Sequence, residues 1–319
     1  MTAPRVSVLL PAYNAAGTLA AALRSVLEQS LSAVEVIVVD DASEDETLAL
    51  AKAVADDDAR VRVLQAPRRA GAAAARNLAL AAARGDWLAL LDADDRFAAG
   101  RLARLVALGE ARGADIVADN LNLVTGTGCR RGTALAAEDP LFAGPLTAAA
   151  FVERNFFLNG GFKLGYLKPL FRRDFVRRHG LRQDAALRIA EDFHFLLDCL
   201  LAGGRFAAHP QAGYDYRLTP GSLSRGLSLE DLRRLAAANR AVMERLEATS
   251  DAGLLDALQR RQRSVDRNVN FARFVAAVKG RRVLDAGSIF ARHPDLTPFL
   301  AFFGLQSLRK RLPGGRHLV

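Results

Sequence analysis

Three carboxylates, Asp92, Asp94 and Asp95, crowd into four positions where an apolar run ends, in Leu88-Ala-Leu-Leu-Asp-Ala-Asp-Asp-Arg-Phe97. Like charges this close repel, and burying even one without a partner is costly, so something must compensate them or they must face water. In extended chain, residues two apart share a side, so Asp92 and Asp94 project together while Asp95 turns away. Such a pair is a hard-oxygen site suited to Mg2+ or Mn2+, ions that keep waters and share themselves with substrate phosphates. The plainer alternative is an acidic turn leading into the helix near Arg101. A second pair, Asp40-Asp41, also ends an apolar run; a carboxylate there suits the N3–H of a uracil or the hydroxyls of a ribose, and Tyr13 offers a flat face to a base. Asp41 could equally be a helix-entry residue beside Ser43. Arg76, in an alanine-rich segment, could sit near a diphosphate or be an ordinary exposed arginine. Glu191-Asp192 opens a further apolar-spaced segment. Acids there are favoured by the helix dipole, and one that faces a cleft can act as a general base.

The elements that must position these groups alternate between strand and helix. Val6–Leu10, closed by Pro11, Val34–Val39, Val61–Leu64 and Trp87–Leu91 read as short apolar strands. Between them, Ala15–Gln29 carries Leu19, Leu23, Val26 and Leu27 at helical spacing; Ser43 and Glu46 form a capping-box pattern for a helix to about Asp56; and Ala72–Arg84 is a third helix. Repeated strand–helix–strand units call for a mostly parallel sheet flanked by helices, with ligands beyond the carboxyl ends of the strands. Those ends carry Pro11-Ala12-Tyr13, Asp40-Asp41 and Asp92-Ala-Asp94, so three polar clusters converge on one edge. Further on, Asp115–Leu123 and Ala212–Arg217 read as strands, Asn159-Gly-Gly161 as a turn, Ile189–Leu201 as a helix, Gly221–Gly226 as a loop and Leu229–Val278 as helical.

The chain of 319 residues is half apolar, ample for a core. Its two cysteines, Cys129 and Cys199, give no disulfide framework or metal-ligand spacing; they read as two buried small apolar residues in a reducing compartment. The first apolar run is too short for an export signal and no stretch is long enough to span a membrane, so a cytoplasmic location, with any membrane contact peripheral, is expected. The charge of +9 is uneven: from Arg260 onward thirteen Lys or Arg face three Asp, which leaves residues 1–259 at −1. A basic tail suits an anionic membrane surface or a nucleic acid, or is simply a solvated helical face. No nucleic-acid motif or aromatic stacking platform is present, so nucleic acid is not expected as a partner. Phe299, Leu300, Phe302, Phe303 and Leu305 before Arg309-Lys-Arg311 resemble an interfacial anchor, or a helix packed on the catalytic domain.

In order and spacing, "VSVLLPAYNAAGTLAAALRSVLEQ", "VEVIVVDDASEDET", "GAAAARNLAL" and "WLALLDADD" resemble the family 2 glycosyltransferases of the GT-A fold. The resemblance covers roughly residues 5–225. It implies a GT-A (Rossmann-like) α/β domain over 1–226, with a nucleotide-binding half to about 105 and an acceptor half from about 106 to 226, followed by a helical basic extension, 227–319. It also implies that Pro11, Ala12 and Tyr13 line the nucleotide pocket, that Asp41 reads the base, and that Arg76 and Asp92 lie at the nucleotide. Asp92 and Asp94 match the ends of the family's DXD motif, with Asp94 the more direct metal ligand. "LRIAEDFHFLLDCL" is similar to the family's ED segment, making Asp192 the catalytic base and Glu191 its neighbour. "LGYLKPLFRRDF" and "YDYRLTPGSLSRG" are similar to the bacterial exopolysaccharide branch, the succinoglycan-type glucosyltransferases. In the second, Arg217, Ser222, Ser224 and Arg225 lie where a loop could close over the diphosphate. Thr219 and Pro220 stand where many relatives have a histidine, so no loop metal ligand is assigned; His194 and His209 read as structural.

The expected chemistry is therefore a metal-dependent inverting hexosyl transfer. A sugar, glucose by the resemblance, moves from a UDP-sugar to a hydroxyl of a lipid-linked oligosaccharide or polysaccharide; a base takes the hydroxyl proton, and Mn2+ or Mg2+ offsets charge on the departing phosphates. A sugar nucleotidyltransferase or a Rossmann dehydrogenase would need a glycine-rich loop after the first strand, and "LLPAYNAAG" is not one. The remaining alternative is an inactive nucleotide- or glycan-binding protein anchored by its basic tail.

Overall fold

A computed structural model describes residues 3–126, 128–156, 162–218, 228–246 and 251–297. The chain divides into two compact units, Met1–Gly226 and Leu227–Val319.

The first unit is built on a nine-stranded sheet among the described residues. Three of its strands, β1 (Val6–Ala12), β2 (Val34–Asp40) and β4 (Trp87–Leu90), are buried along almost their whole length. Their Val, Ile and Leu runs are what a sheet covered on both faces requires. β3 (Val61–Gln65) completes a parallel block in the order β3-β2-β1-β4. Helices α1 (Leu19–Leu27), α2 (Thr47–Asp57) and α3 (Ala72–Ala82) are the connections. Beyond β4 the sheet, parallel in its longest pairings as expected, also takes antiparallel members: β8 (Leu170–Arg172) runs antiparallel to both β4 and β6 (Ile116–Thr125), while β9 (Phe206–Leu218) is parallel to β6. β5 (Arg96–Phe97) and β7 (Arg130–Thr133) are short antiparallel partners of β9 and β6. Two further helices matter for the site, α4 (Arg101–Arg112) and α7 (Glu191–Leu201).

Pro11 does not close β1 as the sequence suggests. Leu9 accepts a bond from Leu91 on the β4 side, so Pro11, two residues on, faces the same side, where β4 has already ended. Its missing N–H therefore leaves no acceptor wanting. The expected capping box at Ser43 and Glu46 also does not form. α2 begins at Thr47, whose N–H and hydroxyl donate to Asp45, while Ser43 Oγ accepts from the Asn14 N–H. Asp45, two residues closer to the helix, takes the Thr47 N–H ahead of the Glu46 N-cap, and Ser43 instead ties the β1 and β2 ends together. Cys199 is buried in α7, but Cys129 is exposed beside the β6–β7 turn, contrary to the reading of both as core residues.

The second unit contains α8 (Leu229–Leu246), α9 (Ala252–Lys279) and α10 (Val283–Arg292). Leu232, Leu235 and Val242 of α8 and Leu254, Leu258 and Val265 of α9 are buried, and Asn239 Nδ2 donates to Gln262 Oε1 at 2.8 Å between the two helices. Ser222, Ser224 and Arg225, and the apolar cluster from Phe299 with its following basic run, lie outside the described residues. No described helix is long and apolar enough to cross a membrane.

Candidate active site

Since β1, β2 and β4 are parallel, their carboxyl ends share one edge of the sheet, and Pro11-Ala12-Tyr13, Asp40-Asp41 and Asp92-Ala-Asp94 emerge there. The backbone leaves these ends through an uncommon conformation. Asn14 (φ 47°), Ala42 (φ 57°) and Ala190 (φ 59°) are three of the four described non-glycine residues with left-handed φ, and each adjoins a candidate site residue. Left-handed backbone in residues other than glycine is a local cost that surrounding structure must impose, and it clusters at functional sites.

At the first two strand ends, Asp41 is buried, and its two oxygens accept the N–H groups of Ala70 (2.8 Å) and Gly71 (2.7 Å). The carboxylate thus pins the loop that enters α3. On the same loop the Arg69 guanidinium lies 3.8 Å over the Tyr13 ring. Pro11 is half-buried and Ala12 is buried under them.

The centre of the site is a charge cage that few of its members announce in sequence. Arg76, expected at the surface of an alanine helix or near a phosphate, is only 4% exposed. Its Nη2 donates to Asp92 Oδ1 at 2.5 Å, and its Nη1 reaches Glu191 Oε1 and Asp192 Oδ1, both at 3.0 Å, and Gln183 Oε1 at 3.2 Å. Lys168, 5% exposed, stands opposite: its Nζ lies 2.8 Å from Asp92 Oδ2 and 2.6 Å from Asp192 Oδ2. Gln183 Nε2 adds a third donor to Asp192 at 3.0 Å. Asp92, Glu191 and Asp192 thus share two cations, and residues from α3, β4, the segment before β8 and the start of α7 meet at one point. Burial alone would raise the Asp92 pKa, but the Lys168 and Arg76 charges outweigh it and hold the carboxyl well below the usual range. Lys168 is likewise held charged: burial opposes its charge, and Asp192 and Asp92 more than restore it, pushing its pKa up. Burial and the adjacent Asp192 charge push Glu191 up.

The acids of the "DADD" stretch separate into three situations. Asp92 has both oxygens taken by cations. Asp95 is buried and serves the turn, accepting the Tyr214 hydroxyl at 2.7 Å and the Arg217 N–H at 2.7 Å. Asp94 is exposed, and its side chain makes no hydrogen bond or ion pair to a described residue; the protein wall beside it and the Asp92 charge raise its pKa. Asp94 is therefore the carboxylate of the stretch whose oxygens are uncommitted among the described residues. No three described His, Cys, Asp or Glu side chains form a ready-made metal cluster.

A second layer fixes the cage. Arg101, fully buried, makes a two-nitrogen fork onto Asp119 at 2.9–3.1 Å and donates from Nη2 to the Lys168 carbonyl at 2.6 Å. Its guanidinium lies 4.5 Å from the Phe97 ring centre and 5.2 Å from that of Tyr214. The Tyr214 hydroxyl, besides donating to Asp95, accepts the Asp92 N–H at 3.2 Å. One buried arginine therefore holds the backbone of Lys168 directly and that of Asp92 through Tyr214. Lys168, Gln183 and Tyr214 are the site residues that sequence reasoning missed. The only sequence signal for Lys168 is a lone lysine within "LKPLF", an apolar run that ordinarily excludes charge.

A parallel-sheet edge carrying a tyrosine and two acidic strand ends, with a helix that opens on an acid pair, has the layout of an α/β enzyme that takes its ligand at the strand ends. The glycosyl transferase family 2 model matches residues 7–169. The chain is 40% identical over 285 residues to the succinoglycan biosynthesis protein ExoO of Rhizobium meliloti, covering 89% of this chain and 80% of that one. Among solved structures, S. aureus TarS 1–349 in complex with UDP-GlcNAc superposes with a TM-score of 0.59 at 18% identity, over 91% of this chain and 92% of that chain. The mannosyltransferase PcManGT from Pyrobaculum calidifontis, solved with GDP-Man and Mn2+, does so with a TM-score of 0.60 at 19% identity, over 97% and 81%. This chain belongs to glycosyltransferase family 2, and its fold is that of the GT-A glycosyltransferases.

Proposed function

We propose that the chain transfers a hexose from a UDP-sugar to a hydroxyl of a lipid-linked oligosaccharide in exopolysaccharide assembly, with inversion at the sugar carbon. The observation that carries this reading is the convergence of Asp92, Glu191 and Asp192 on Arg76 and Lys168 at the sheet edge, with Asp94, unpartnered among the described residues, two positions after Asp92. The similarity to ExoO supports the exopolysaccharide context; glucose as the donor sugar is what the resemblance to the succinoglycan-type glucosyltransferases implies. The nucleotide ligands of the structural neighbours support a sugar nucleotide as donor.

In this reading the base stacks at Tyr13, where Arg69 already covers one ring face, and Asp41 holds the loop that lies against the nucleotide. Asp192 accepts the proton of the acceptor hydroxyl; its oxygen attacks the sugar carbon, the bond to the diphosphate breaks, and the nucleoside diphosphate departs. Arg76 and Lys168 keep Asp192 aimed, and Arg217 reaches the leaving diphosphate from the end of β9. Ser222, Ser224 and Arg225 belong to the segment that follows. A divalent cation, Mn2+ or Mg2+, fits at Asp94, with Asp92 behind it, and would offset charge on the departing phosphates. Glu191, whose pKa burial and the Asp192 charge raise, sits beside Asp192 on the same Arg76 nitrogen.

Screening UDP- and GDP-sugars for nucleoside diphosphate release, with Mn2+ and with a chelator, tests this function. Release from a UDP-hexose supports it; tight UDP binding with no release from any donor favours the inactive binding protein instead.

A further inference from the structure

The described residues expose six large apolar side chains, and four of them, Val278, Val283, Leu284 and Phe290, lie within thirteen residues around the turn from α9 to α10. Val283 and Leu284, the first two residues of α10, are 78% and 89% exposed. The turn is tight: α9 ends at Lys279, Gly280 caps it, and Arg281 takes a left-handed φ of 55° before Arg282 and α10. The inward contact is made by small residues, Ala277 and Ala286, which are buried, while Phe290, partly exposed, keeps its ring 6.4 Å from that of Phe274. The larger aliphatics are therefore left outside by the same packing that holds the two helices together. Lys279, Arg281 and Arg282 are exposed among them, and Asp285, 3.6 Å from Arg282, is the one acid nearby.

We propose that this turn is a docking prong for an anionic lipid surface. Clustered exposed aliphatics mark a contact site. The interleaved cations choose its partner: the buried centre of a protein interface is depleted in charge, whereas a bilayer takes aliphatic tips below its headgroups and Lys or Arg at the level of its phosphates. The charge of the turn complements an anionic leaflet and holds the prong there by attraction that falls with salt. The prong gives a specific surface to the peripheral membrane contact expected of an enzyme with a lipid-linked acceptor, and it rests on that reading only for its purpose.

The test is co-sedimentation of the full chain with phosphatidylcholine vesicles, with and without phosphatidylglycerol, for the unaltered protein and two double variants, Val283→Ser/Leu284→Ser and Arg281→Gln/Arg282→Gln. These side chains are exposed, so both variants should keep the melting temperature of the unaltered chain. The unaltered protein is expected to bind the anionic vesicles and to leave them as salt rises, and each double variant to lose about tenfold or more in partitioning. Equal binding by the unaltered protein and both variants overturns the proposal. So does the absence of vesicle binding, or self-association in solution that the Val283→Ser/Leu284→Ser change abolishes without vesicle binding. Vesicle binding with no donor turnover leaves the prong standing and refutes the transfer reading alone.

Discussion

Lys168→Met removes one of the two side chains that bridge Asp92 and Asp192, Arg76 being the other, while keeping most of its volume. In the folded chain the ammonium lies 2.6 and 2.8 Å from two different carboxylates and is almost fully buried. Removing one partner from a buried ion pair costs about 3–5 kcal/mol, because the remaining charge stays desolvated and unpaired. Arg76 continues to serve both carboxylates, which places the expected cost near the lower end, about 3 kcal/mol. For a unit of this size that corresponds to a fall in melting temperature of roughly 6–12 °C. The effect on turnover is larger than simple destabilisation explains. Asp192 loses its shortest contact and is no longer held on that side, and misplacement of a reacting group by about 1 Å costs on the order of 100-fold. Nucleoside diphosphate release, measured well below the melting temperature beside UDP binding by calorimetry, should show about a 100-fold drop in kcat/KM carried by kcat, with UDP affinity nearly kept. Unchanged turnover and melting temperature would refute the cage. Loss of UDP binding in proportion to turnover would show that Lys168 only keeps the fold.

Three further outcomes follow from the same geometry. Asp94→Asn should weaken metal-dependent UDP binding at least tenfold while leaving the melting temperature of the metal-free protein within about 2 °C, because that side chain supports no described contact; calorimetry with and without Mn2+ checks it. Gly213→Ala should destabilise the first unit by about 3 kcal/mol, read as a lower denaturant midpoint, since a Cβ there would sit on the Asp119 carboxylate and 2.5 Å from Arg104 Nη2. Asp139, bonded to Arg154 at 2.7 and 2.8 Å, has its pKa lowered from 3.8 chiefly by that hydrogen bond. A carboxyl depressed on folding lends stability that is complete above its unfolded value and lost as pH falls through its folded value. Asp139→Asn should therefore cost about 1 kcal/mol at pH 7 and nothing once the pH is well below 3.8, measured by urea melts at both.

How much of this was legible in the sequence depends on how far apart the cooperating residues lie. Strands that end in acids are local signals, so the β1, β2 and β4 ends, and the opening of α7 on Glu191-Asp192, are readable from apolar runs and the groups that follow them. The cage is not local. Arg76 and Asp92 meet Lys168, Gln183 and Asp192 because β8 returns antiparallel against β4, a pairing that no short window encodes. A buried lysine also carries no signature apart from its apolar neighbours, and Arg76 differs from an exposed helix arginine only through its partners, one sixteen residues away and the others more than a hundred. The failed capping box shows the same limit at short range: Ser43 and Glu46 have the right spacing, but Asp45 lies closer to the first turn and Asn14, from another strand end, claims the Ser43 oxygen. β6 is legible as an apolar strand, but β8 is only three residues long and no apolar run says which way its neighbours run.

The central claim is that Asp192, held by Arg76, Lys168 and Gln183, takes the acceptor proton. Asp192→Asn keeps the shape of the side chain and removes its basicity. The measurement is transfer and UDP binding on the same preparation, with the UDP-sugar that the unaltered enzyme uses. The account predicts that transfer is abolished while UDP binding stays nearly intact. Wild-type turnover by Asp192→Asn would contradict it.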